Sequence, residues 1–252
     1  MEPPAALWQN GHMLRHSFAL ILLAYAGAAA ALTQAEVMAG AERLYRERML
    51  ELQARHQLDA DPAFHQRVQR IARPLIAQAM REYPESAAWP WEIHTAPEDD
   101  ESAYAMAGGK LMVSRAYVHK LLLTDAELAM LLAHEICHAV LRHNLLEYEE
   151  AMRIEPAWRG RPFPELQDAV DSDSALMRKL APLGIRQEAE ADREGLKLAW
   201  RAGWPASELA RYFHKLARSS HAPNFEQFAH PAPAQRWRAA QELAAGLDAA
   251  GR

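Results

Sequence analysis

One five-residue segment, His134-Glu135-Ile136-Cys137-His138, constrains this chain more strongly than any other part of its sequence. On an α-helix, two histidines four positions apart lie about 40° apart around the axis and about 6 Å apart along it, so both imidazoles can reach one metal ion. Glu135 lies on the same broad face, where it can contact a water molecule in the metal site without being a ligand itself. The segment is therefore typical of a helix that binds zinc and carries a general base.

The residues around this segment predict that it lies inside a buried helix. A random chain with 12 histidines in 252 residues would contain the pattern with a chance of roughly one in twenty-five. The pattern alone therefore does not establish a zinc site, and the neighbouring residues are needed as further evidence. Thr124 and Glu127 have the spacing of a capping box, and the apolar run from Leu128 to Leu132 follows with helical spacing. Two buried histidines without a metal would be energetically unfavourable, which favours the zinc interpretation.

A third ligand has to be sought outside the histidine pair, because zinc in a hydrolase keeps three protein ligands and one open position. The metzincin pattern has a glycine three residues and a histidine six residues after the second histidine. Leu141 and Asn144 occupy those positions here, which excludes that class of protease and favours a carboxylate as the third ligand.

The helical stretch from Ile185 to Trp200 supplies such a carboxylate. Glu188 and Asp192 lie one turn apart on one face of this helix, while Glu190 points away from them. We expect Glu188 to bind the metal and Asp192 to accept the free ring N–H of a ligating histidine. On this stretch alone, a solvated acidic face would be the simpler interpretation, and the histidine pair upstream reverses that preference.

Four segments of the chain together resemble one known family. They are Glu188–Gly195 (EAEADREG), His134–His143 (HEICHAVLRH), Ser102–Val113 (SAYAMAGGKLMV) and His230–Pro233 (HPAP) with Arg236 after it. They are similar to the E-x-E-A-D-R-x-G, H-E-x-x-H-x-x-x-R-H, N-A-F-A-x-x-G-G-x-I-x-V and H-P-x-P motifs of gluzincin zinc metallopeptidases of the HtpX, BepA and CAAX-prenyl-protease family. The chain most resembles short periplasmic BepA-like members without a tetratricopeptide domain. It departs from the family at Ser102, where an asparagine is usual.

The resemblance implies an α+β fold, mostly helical and zincin-like, with a small β-sheet beside the HExxH helix. It implies one Zn²⁺ per chain held by His134, His138 and Glu188, with Glu135 activating the water that attacks a peptide carbonyl. Asp192, His143 and Arg236 are then expected beside the ligands without binding the metal. For His143, a favourable interaction with the helix dipole in the last turn of the HExxH helix is a plain alternative.

The resemblance also implies a regulatory role for His230. In BepA-like members the corresponding histidine can occupy the open zinc position and hold the enzyme inactive, and here it lies in a proline-bracketed loop that could swing. The alternative is an ordinary loop histidine. No residue is identified by spacing as the donor that stabilises the oxyanion of the reaction, and Tyr212, His214 and His230 are the candidates.

Residues 103–113 have the pattern of a strand with a Gly-Gly turn or bulge. The resemblance implies an edge strand beside the metal cleft that pairs with extended polypeptide substrates, which would make sequence specificity loose. The substrate-binding candidates are Gly108, Gly109, Lys110, Leu111 and Met112. An ordinary tight turn is the alternative interpretation of the two glycines.

The N-terminal 32 residues differ from the rest of the chain. Residues 17–32 form an uncharged run that resembles a secretory signal cleaved near Ala30 or Ala35, with an uncleaved membrane anchor as the alternative and Met1 or Met13 as the start. We therefore expect a periplasmic or secreted protein, or one anchored to the membrane and facing the periplasm. Cys137 is the single cysteine of the chain, which excludes an internal disulfide.

Residues 33–252 are long enough for one metallopeptidase domain, with helices predicted over 33–55, 61–83 and 163–180 and a first strand over 89–94. The proline-rich segment 145–187 is expected to be a lid over the active site, with a surface insertion as the alternative. A net charge of −5 without a basic stripe gives no support for nucleic-acid binding.

Three functional hypotheses fit these observations. The leading one is a secreted zinc endopeptidase that hydrolyses unfolded or misassembled proteins, associated with the membrane or with outer-membrane assembly machinery. The second is a zinc-binding, chaperone-like quality-control protein in which proteolysis is marginal. The third is a metal-free structural helix.

Overall fold

The computed structural model of the protein describes residues 31–98, 103–226 and 228–251. The apolar run at residues 17–32, predicted to be a signal or an anchor, lies outside these ranges except for its last two residues. Among the helices in the described ranges, none combines the length and the apolar character that crossing a membrane requires.

Two long helices open the described part of the chain. α1 (Gln34–Ala54) begins after Thr33, and the Thr33 and Glu36 side chains each bind the other residue's amide in a capping box. α2 (Pro62–Glu82) begins after Asp61, whose carboxylate accepts a hydrogen bond from the Phe64 amide. These caps satisfy amides that would otherwise lack a partner at a helix start. The sequence predicts both helices to within one residue at each end.

A three-stranded sheet follows, in the spatial order β1-β3-β2. β1 (Glu92–Ala96) pairs with β3 (Lys110–Ser114) in parallel, and β2 (Ala103–Met106) pairs with β3 in antiparallel orientation. β3 is therefore the central strand, buried along its whole length, and β2 is an edge strand.

The strands differ from the sequence prediction in two respects. β1 begins at Glu92, three residues later than predicted, because the chain before it forms a 3₁₀ helix at Pro84–Ala88 to which the Trp91 indole is hydrogen-bonded. Gly108 and Gly109 have φ angles of 83° and 76° and form a tight turn, so residues 103–113 are two strands. The turn interpretation of the two glycines is confirmed.

The buried helix that carries the HExxH segment is crossed by a second, longer helix. A short helix, α3 (Arg115–Lys120), leads to α4 (Asp125–Val140), which carries the HExxH segment and begins with the predicted Thr124–Glu127 capping box. α7 (Ser174–Arg201) crosses α4 so closely at Gly195 that a β-carbon there would lie 2.9 Å from the His134 amide nitrogen. Only glycine permits this approach of the two backbones.

The segment between these helices corrects the sequence prediction. α4 ends at Val140, Arg142 takes a left-handed conformation with φ 60°, and a new helix, α5 (His143–Ile154), begins at once. The single helix predicted over 163–180 is wrong: α6 (Phe163–Ser172) ends there and α7 begins, because the Asp173 carboxylate caps the amides of residues 175 and 176. α7 then continues through Pro182 without interruption.

In the described part of the chain, the elements pack into three hydrophobic cores, of which the smallest joins α1 to β1 and β3. The first core is built mainly by α2, the sheet, α4, the second half of α7 and two further helices, α8 (Ala206–Ser219) and α9 (Pro233–Ala250). The second core joins α1, α5, α6 and the first half of α7. Because α7 contributes Leu176 and Leu180 to the second core and Leu196 and Leu198 to the first, this one helix connects both.

Candidate metal centre and cleft

Three side chains from α4 and α7 converge on one point. His134 Nε2 lies 3.1 Å from His138 Nε2, and Glu188 places one carboxylate oxygen 3.2 Å from His138 Nε2 and the other 3.5 Å from His134 Nε2. Within the described ranges, this is the group of histidine, cysteine and acidic residues whose ligand atoms lie close enough to share an ion. The four-residue spacing of the histidines and the crossing at Gly195 produce this arrangement.

These separations fit a tetrahedral zinc ion. Ligand atoms about 2.0–2.2 Å from zinc at tetrahedral angles are about 3.3 Å apart, close to the three distances observed. Glu188 Oε2 is also buried and has no hydrogen-bond partner among the described residues. The nearest positive groups, Arg236 at 3.3 Å and His134 at 3.5 Å, lie at ion-pair distance without forming a hydrogen bond to it. A buried carboxylate oxygen without a hydrogen bond is energetically costly, so the site is chemically suited to a cation.

The outer side of each ligand is held by a further polar group. Asp192 Oδ1 lies 3.0 Å from His134 Nδ1, and the His143 and His138 Nδ1 atoms are hydrogen-bonded at 3.0 Å. Arg236 binds Asp192 through two contacts of 2.7 and 2.6 Å, and its Nη2 lies 3.3 Å from Glu188 Oε2. Such contacts fix which imidazole nitrogen carries the proton and leave both Nε2 atoms directed at the common point.

The position of His143 differs from the sequence prediction. It is the first residue of α5 rather than part of the last turn of the HExxH helix, so the dipole interpretation is wrong. The Gln187 side chain donates a hydrogen bond to the His143 carbonyl and holds the start of α5 against α7. His143 is thereby placed beside His138, and its Nε2 lies 3.6 Å from Glu190 Oε2.

The electrostatics of this cluster follow from burial and close opposite charges. Burial opposes protonation of His134, but the neighbouring Glu188 and Asp192 carboxylates outweigh it and raise its pKa to about 9. Burial would raise the pKa of Glu188, yet His134, His138 and Arg236 hold it well below its usual range. Burial and the two nearby histidines lower the pKa of His143 to about 3. Glu188 is therefore a carboxylate and His143 a neutral imidazole at neutral pH.

A cleft of about 970 Å³ opens beside the three side chains. Glu135, next to His134 on α4, lines it, and so do β2 and residues from α1, α5, α6, α7 and α8. Cys137 does not line the cleft and is fully buried in the first core. A carboxylate beside the metal-binding group in a cleft of this size can take a proton from a water molecule there.

His230 lies at the rim of the same cleft. Its side chain is 53% exposed, and its Nε2 lies 3.6 Å from Glu188 Oε2. The preceding residue, Ala229, packs against Gly184 in the middle of α7, where a β-carbon would lie only 2.8 Å from the Ala229 methyl group. Of the other oxyanion candidates, Tyr212 lines the cleft, whereas His214 packs on Trp237 and is not among the residues that line it.

Comparison with known proteins places this site in a family. The sequence profile described as "Peptidase family M48" matches residues 62–244, which include all three converging side chains and His230. The chain belongs to peptidase family M48. Relatives include the beta-barrel assembly-enhancing proteases of Yersinia pestis, 27% identical over 190 residues, and of Escherichia coli, 28% identical over 191 residues. Each alignment covers 70% of this chain and 38% of the relative.

A further M48-type relative is the metalloprotease LoiP of Escherichia coli, 29% identical over 143 residues, which are 54% of this chain and 56% of that protein. The chain spans less than two thirds of the length of each of these relatives. Family membership therefore rests on the profile match to residues 62–244.

The predicted substrate contacts of this M48 domain need correction. Lys110, Leu111 and Met112 lie in β3, whose backbone pairs with a strand on either side, so they cannot pair with a substrate. Lys110 is also engaged, because its buried ammonium binds Pro90 and two glutamates. Neither Gly108 nor Gly109 lines the cleft. The edge strand β2 lines it instead, since Gly108 and Gly109 turn the chain between the two strands.

Two acidic residues on the cleft wall escaped the sequence analysis. Glu147 on α5 and Asp171 on α6 both line the cleft, and burial together with the nearby Asp171 charge raises the pKa of Glu147 to about 7. Residues 24 positions apart on two helices show no periodic pattern that would connect them. Tyr117 on α3 was missed for the same reason; its hydroxyl lies 3.2 Å from that of Tyr212.

Proposed function

We propose that this protein is a zinc-dependent endopeptidase. The observation that carries the proposal is the convergence of His134, His138 and Glu188 beside a cleft that Glu135 lines. Membership of family M48 and the names of its relatives, a protease and a metalloprotease among them, support it. His134, His138 and Glu188 would hold the zinc ion.

The residues of the cleft suit hydrolysis of a peptide bond. When bound, zinc would polarise the scissile carbonyl and make water a better nucleophile near neutral pH. Glu135 takes a proton from the attacking water and delivers it to the departing amine. Asp192 and His143 hold the two imidazoles in the required tautomers, and Arg236 holds Asp192 and Glu188 in place.

We further propose that the substrates are extended segments of unfolded or misassembled proteins. Within the described residues β2 is an edge strand of the sheet and lines the cleft, so a substrate chain can add to the sheet there through main-chain hydrogen bonds. Main-chain recognition depends little on side chains but requires an extended, unfolded segment. Two relatives are named as enhancing β-barrel assembly, which is consistent with substrates among misassembled envelope proteins.

His230 is proposed to inhibit the site by occupying the open metal position. The support is its place at the cleft rim, 3.6 Å from Glu188 Oε2, on a loop whose Ala229 packs on Gly184 of α7. The same observation favours the alternative function, a zinc-binding chaperone-like protein that binds unfolded chains in the cleft and rarely cleaves them. Segment 145–187 would act as a lid, since residues of α5 and α6 line the cleft.

Cleavage of casein by the purified protein separates these functions. We expect Glu135→Gln to abolish cleavage without loss of zinc, and His230→Ala to raise the rate. Elemental analysis of protein purified without added metal should give one zinc ion per chain. If His230→Ala remains inert with zinc bound, the endopeptidase proposal fails and the chaperone-like function is favoured; absence of zinc would overturn both.

A periplasmic or secreted location, with partners at the outer-membrane assembly machinery, is the remaining part of the proposal. The apolar run at residues 17–32 and the names of the relatives support it. Fractionation of cells that produce the full chain with a C-terminal tag tests it. Recovery in the cytoplasmic fraction at full length would refute the location.

A further inference from the structure

Two tyrosine hydroxyls face each other in the wall of the cleft. Tyr117 on α3 and Tyr212 on α8 have their oxygen atoms 3.2 Å apart, and both residues line the cleft together with Glu135. Tyr212 is only 4% exposed and packs edge-on against Phe213 in the first core, which fixes its ring. A buried ring with its hydroxyl at a reactive cleft is a rigidly placed polar group.

The hydroxyl pair is suited to donating a hydrogen bond into the cleft. Two hydroxyls carry two protons, and the contact between them uses one. The second proton is therefore left for a bond outside the pair, and it is the proton of Tyr212 when Tyr117 is the donor within the pair. Burial, reinforced by Tyr117, raises the pKa of Tyr212 well above its usual value, and the field of Glu135 acts in the same direction. Tyr212 thus remains the protonated, donating form over the pH range in which a protease works.

The other polar groups near the cleft are less suited to this role. His214 packs against Trp237 with ring centroids 4.5 Å apart and does not line the cleft. The Arg236 guanidinium is held by Asp192 through two short hydrogen bonds. His230 sits on the rim, where its side chain is half exposed, and in the proposed inhibited state it competes with the substrate.

We infer that Tyr212 donates a hydrogen bond to the oxyanion that forms on the scissile carbonyl, and that Tyr117 positions its hydroxyl. This inference rests on the proposed endopeptidase function. When water adds to the carbonyl carbon, the C=O π electrons move onto oxygen, and that oxygen accepts the Tyr212 proton as a hydrogen bond. No proton is transferred from Tyr212. When the C–N bond breaks, the electrons return to the carbonyl and the hydrogen bond weakens again.

The first test compares Tyr212→Phe with wild type on a fluorogenic peptide. Removal of one oxyanion donor lowers kcat by about 10²–10³-fold, so we expect a fall of that size with KM changed by less than about threefold. Tyr117→Phe should lower kcat by a smaller factor. Tyr83→Phe is the matched control, because Tyr83 is a partly buried tyrosine that is not among the cleft residues. Its kcat should equal that of wild type.

A second readout is independent of turnover. A phosphinic peptide, which carries a tetrahedral anionic centre, and a product-like peptide are titrated into each zinc-loaded variant by calorimetry. Tyr212→Phe should weaken phosphinic binding by the same factor as kcat and leave product binding unchanged. Equal loss for both ligands, or kcat within about threefold of wild type, would overturn the inference.

Two controls keep the outcome interpretable. If Tyr212→Phe does not fold, a fluorinated tyrosine at position 212 keeps the shape and has a more acidic hydroxyl, which is a stronger hydrogen-bond donor. The phosphinic peptide should then bind more tightly while product binding stays unchanged, and an unchanged ratio of the two affinities would overturn the inference. If wild type cleaves nothing, the proposed function itself fails; if wild type cleaves and Tyr212→Phe cleaves equally well, only the role of Tyr212 fails.

Discussion

Replacement of Gly195 by alanine tests how strictly the helix crossing sets the metal site. A β-carbon at Gly195 would lie 2.9 Å from the His134 nitrogen, 3.0 Å from its Cα and 3.1 Å from the Ala133 carbonyl carbon. These are backbone atoms of α4 and cannot rotate away. Ordinary contact begins at 3.4 Å, so the two helices would have to separate by about 0.5 Å, the difference between 3.4 and 2.9.

That displacement is large for a metal site. Glu188 lies seven residues, or two turns, before Gly195, so both face α4 and move together. Metal–ligand distances tolerate changes of only about 0.2 Å, so Glu188 would leave its coordinating position or strain α7. We expect zinc affinity to fall about ten- to hundredfold, the range found when groups that support a ligand are altered. Overpacking should cost about 1–3 kcal/mol of stability, offset in part by the roughly 1 kcal/mol helix preference of alanine.

The assay is a zinc competition titration with a fluorescent chelator, combined with thermal unfolding of the metal-free protein. Gly246→Ala in α9 is the matched control, because a β-carbon there meets nothing within 4 Å. It should keep zinc affinity and become slightly more stable. If Gly195→Ala binds zinc as tightly as wild type and is stabilised like the control, the argument from the close crossing is wrong.

Three further predictions use other parts of the structure. Gly184→Leu should push Ala229 and the His230 loop off α7, and should raise the initial rate of casein cleavage if His230 inhibits the site; an unchanged rate would count against inhibition. Chelation should lower the melting temperature, because zinc binds only the folded protein; zinc at 100 times its Kd stabilises by about 2.7 kcal/mol, and no shift in calorimetry would contradict this. The Asp59 carboxylate, hydrogen-bonded to His94, raises the pKa of His94, so the stabilisation from the pair is complete below the unfolded pKa near 6.5 and is lost as pH rises through the folded value. Asp59→Asn should therefore lower the urea midpoint more at pH 5.5 than at pH 8.5. An equal decrease at both pH values would show that the pair does not raise the pKa of His94.

The three converging side chains could be identified from the sequence because the geometry within each helix is local. Histidines four residues apart on a capped helix must share a face, and Glu188 and Asp192 obey the same rule on α7. The apolar run before His134 indicates that α4 is buried. A buried α4 favours contact between its histidine face and the acidic face of α7. Their convergence depends on one long-range contact, at Gly195, and the motif around Glu188 already contains that glycine.

The errors arose where long-range contacts decide the structure. The alternation of residues 103–113 predicts a strand but does not indicate its position in the sheet. Substrate binding by Lys110, Leu111 and Met112 requires an edge strand, whereas β1 pairs with the second edge of β3. The sequence also predicts that the HExxH helix continues through His143. An arginine at position 142 does not indicate the left-handed conformation that in fact separates the two helices. The Tyr117–Tyr212 pair joins residues 95 positions apart, and no local pattern connects them.

α7 is one continuous helix that contacts the proposed lid, carries Glu188 of the proposed metal site and supports the His230 loop. Its first half packs Leu176 and Leu180 into the second core beneath α5 and α6, and its second half carries Glu188 and crosses α4. Between them, Pro182 removes one helical hydrogen bond, and Gly184 is the point where the His230 loop rests. Bending of α7 at this point would move the second core away from β2 and break the contact between Ala229 and Gly184. The second half of α7, which carries Glu188, would stay fixed at the crossing with α4. Opening the cleft to an extended chain and releasing His230 would then be one motion rather than two.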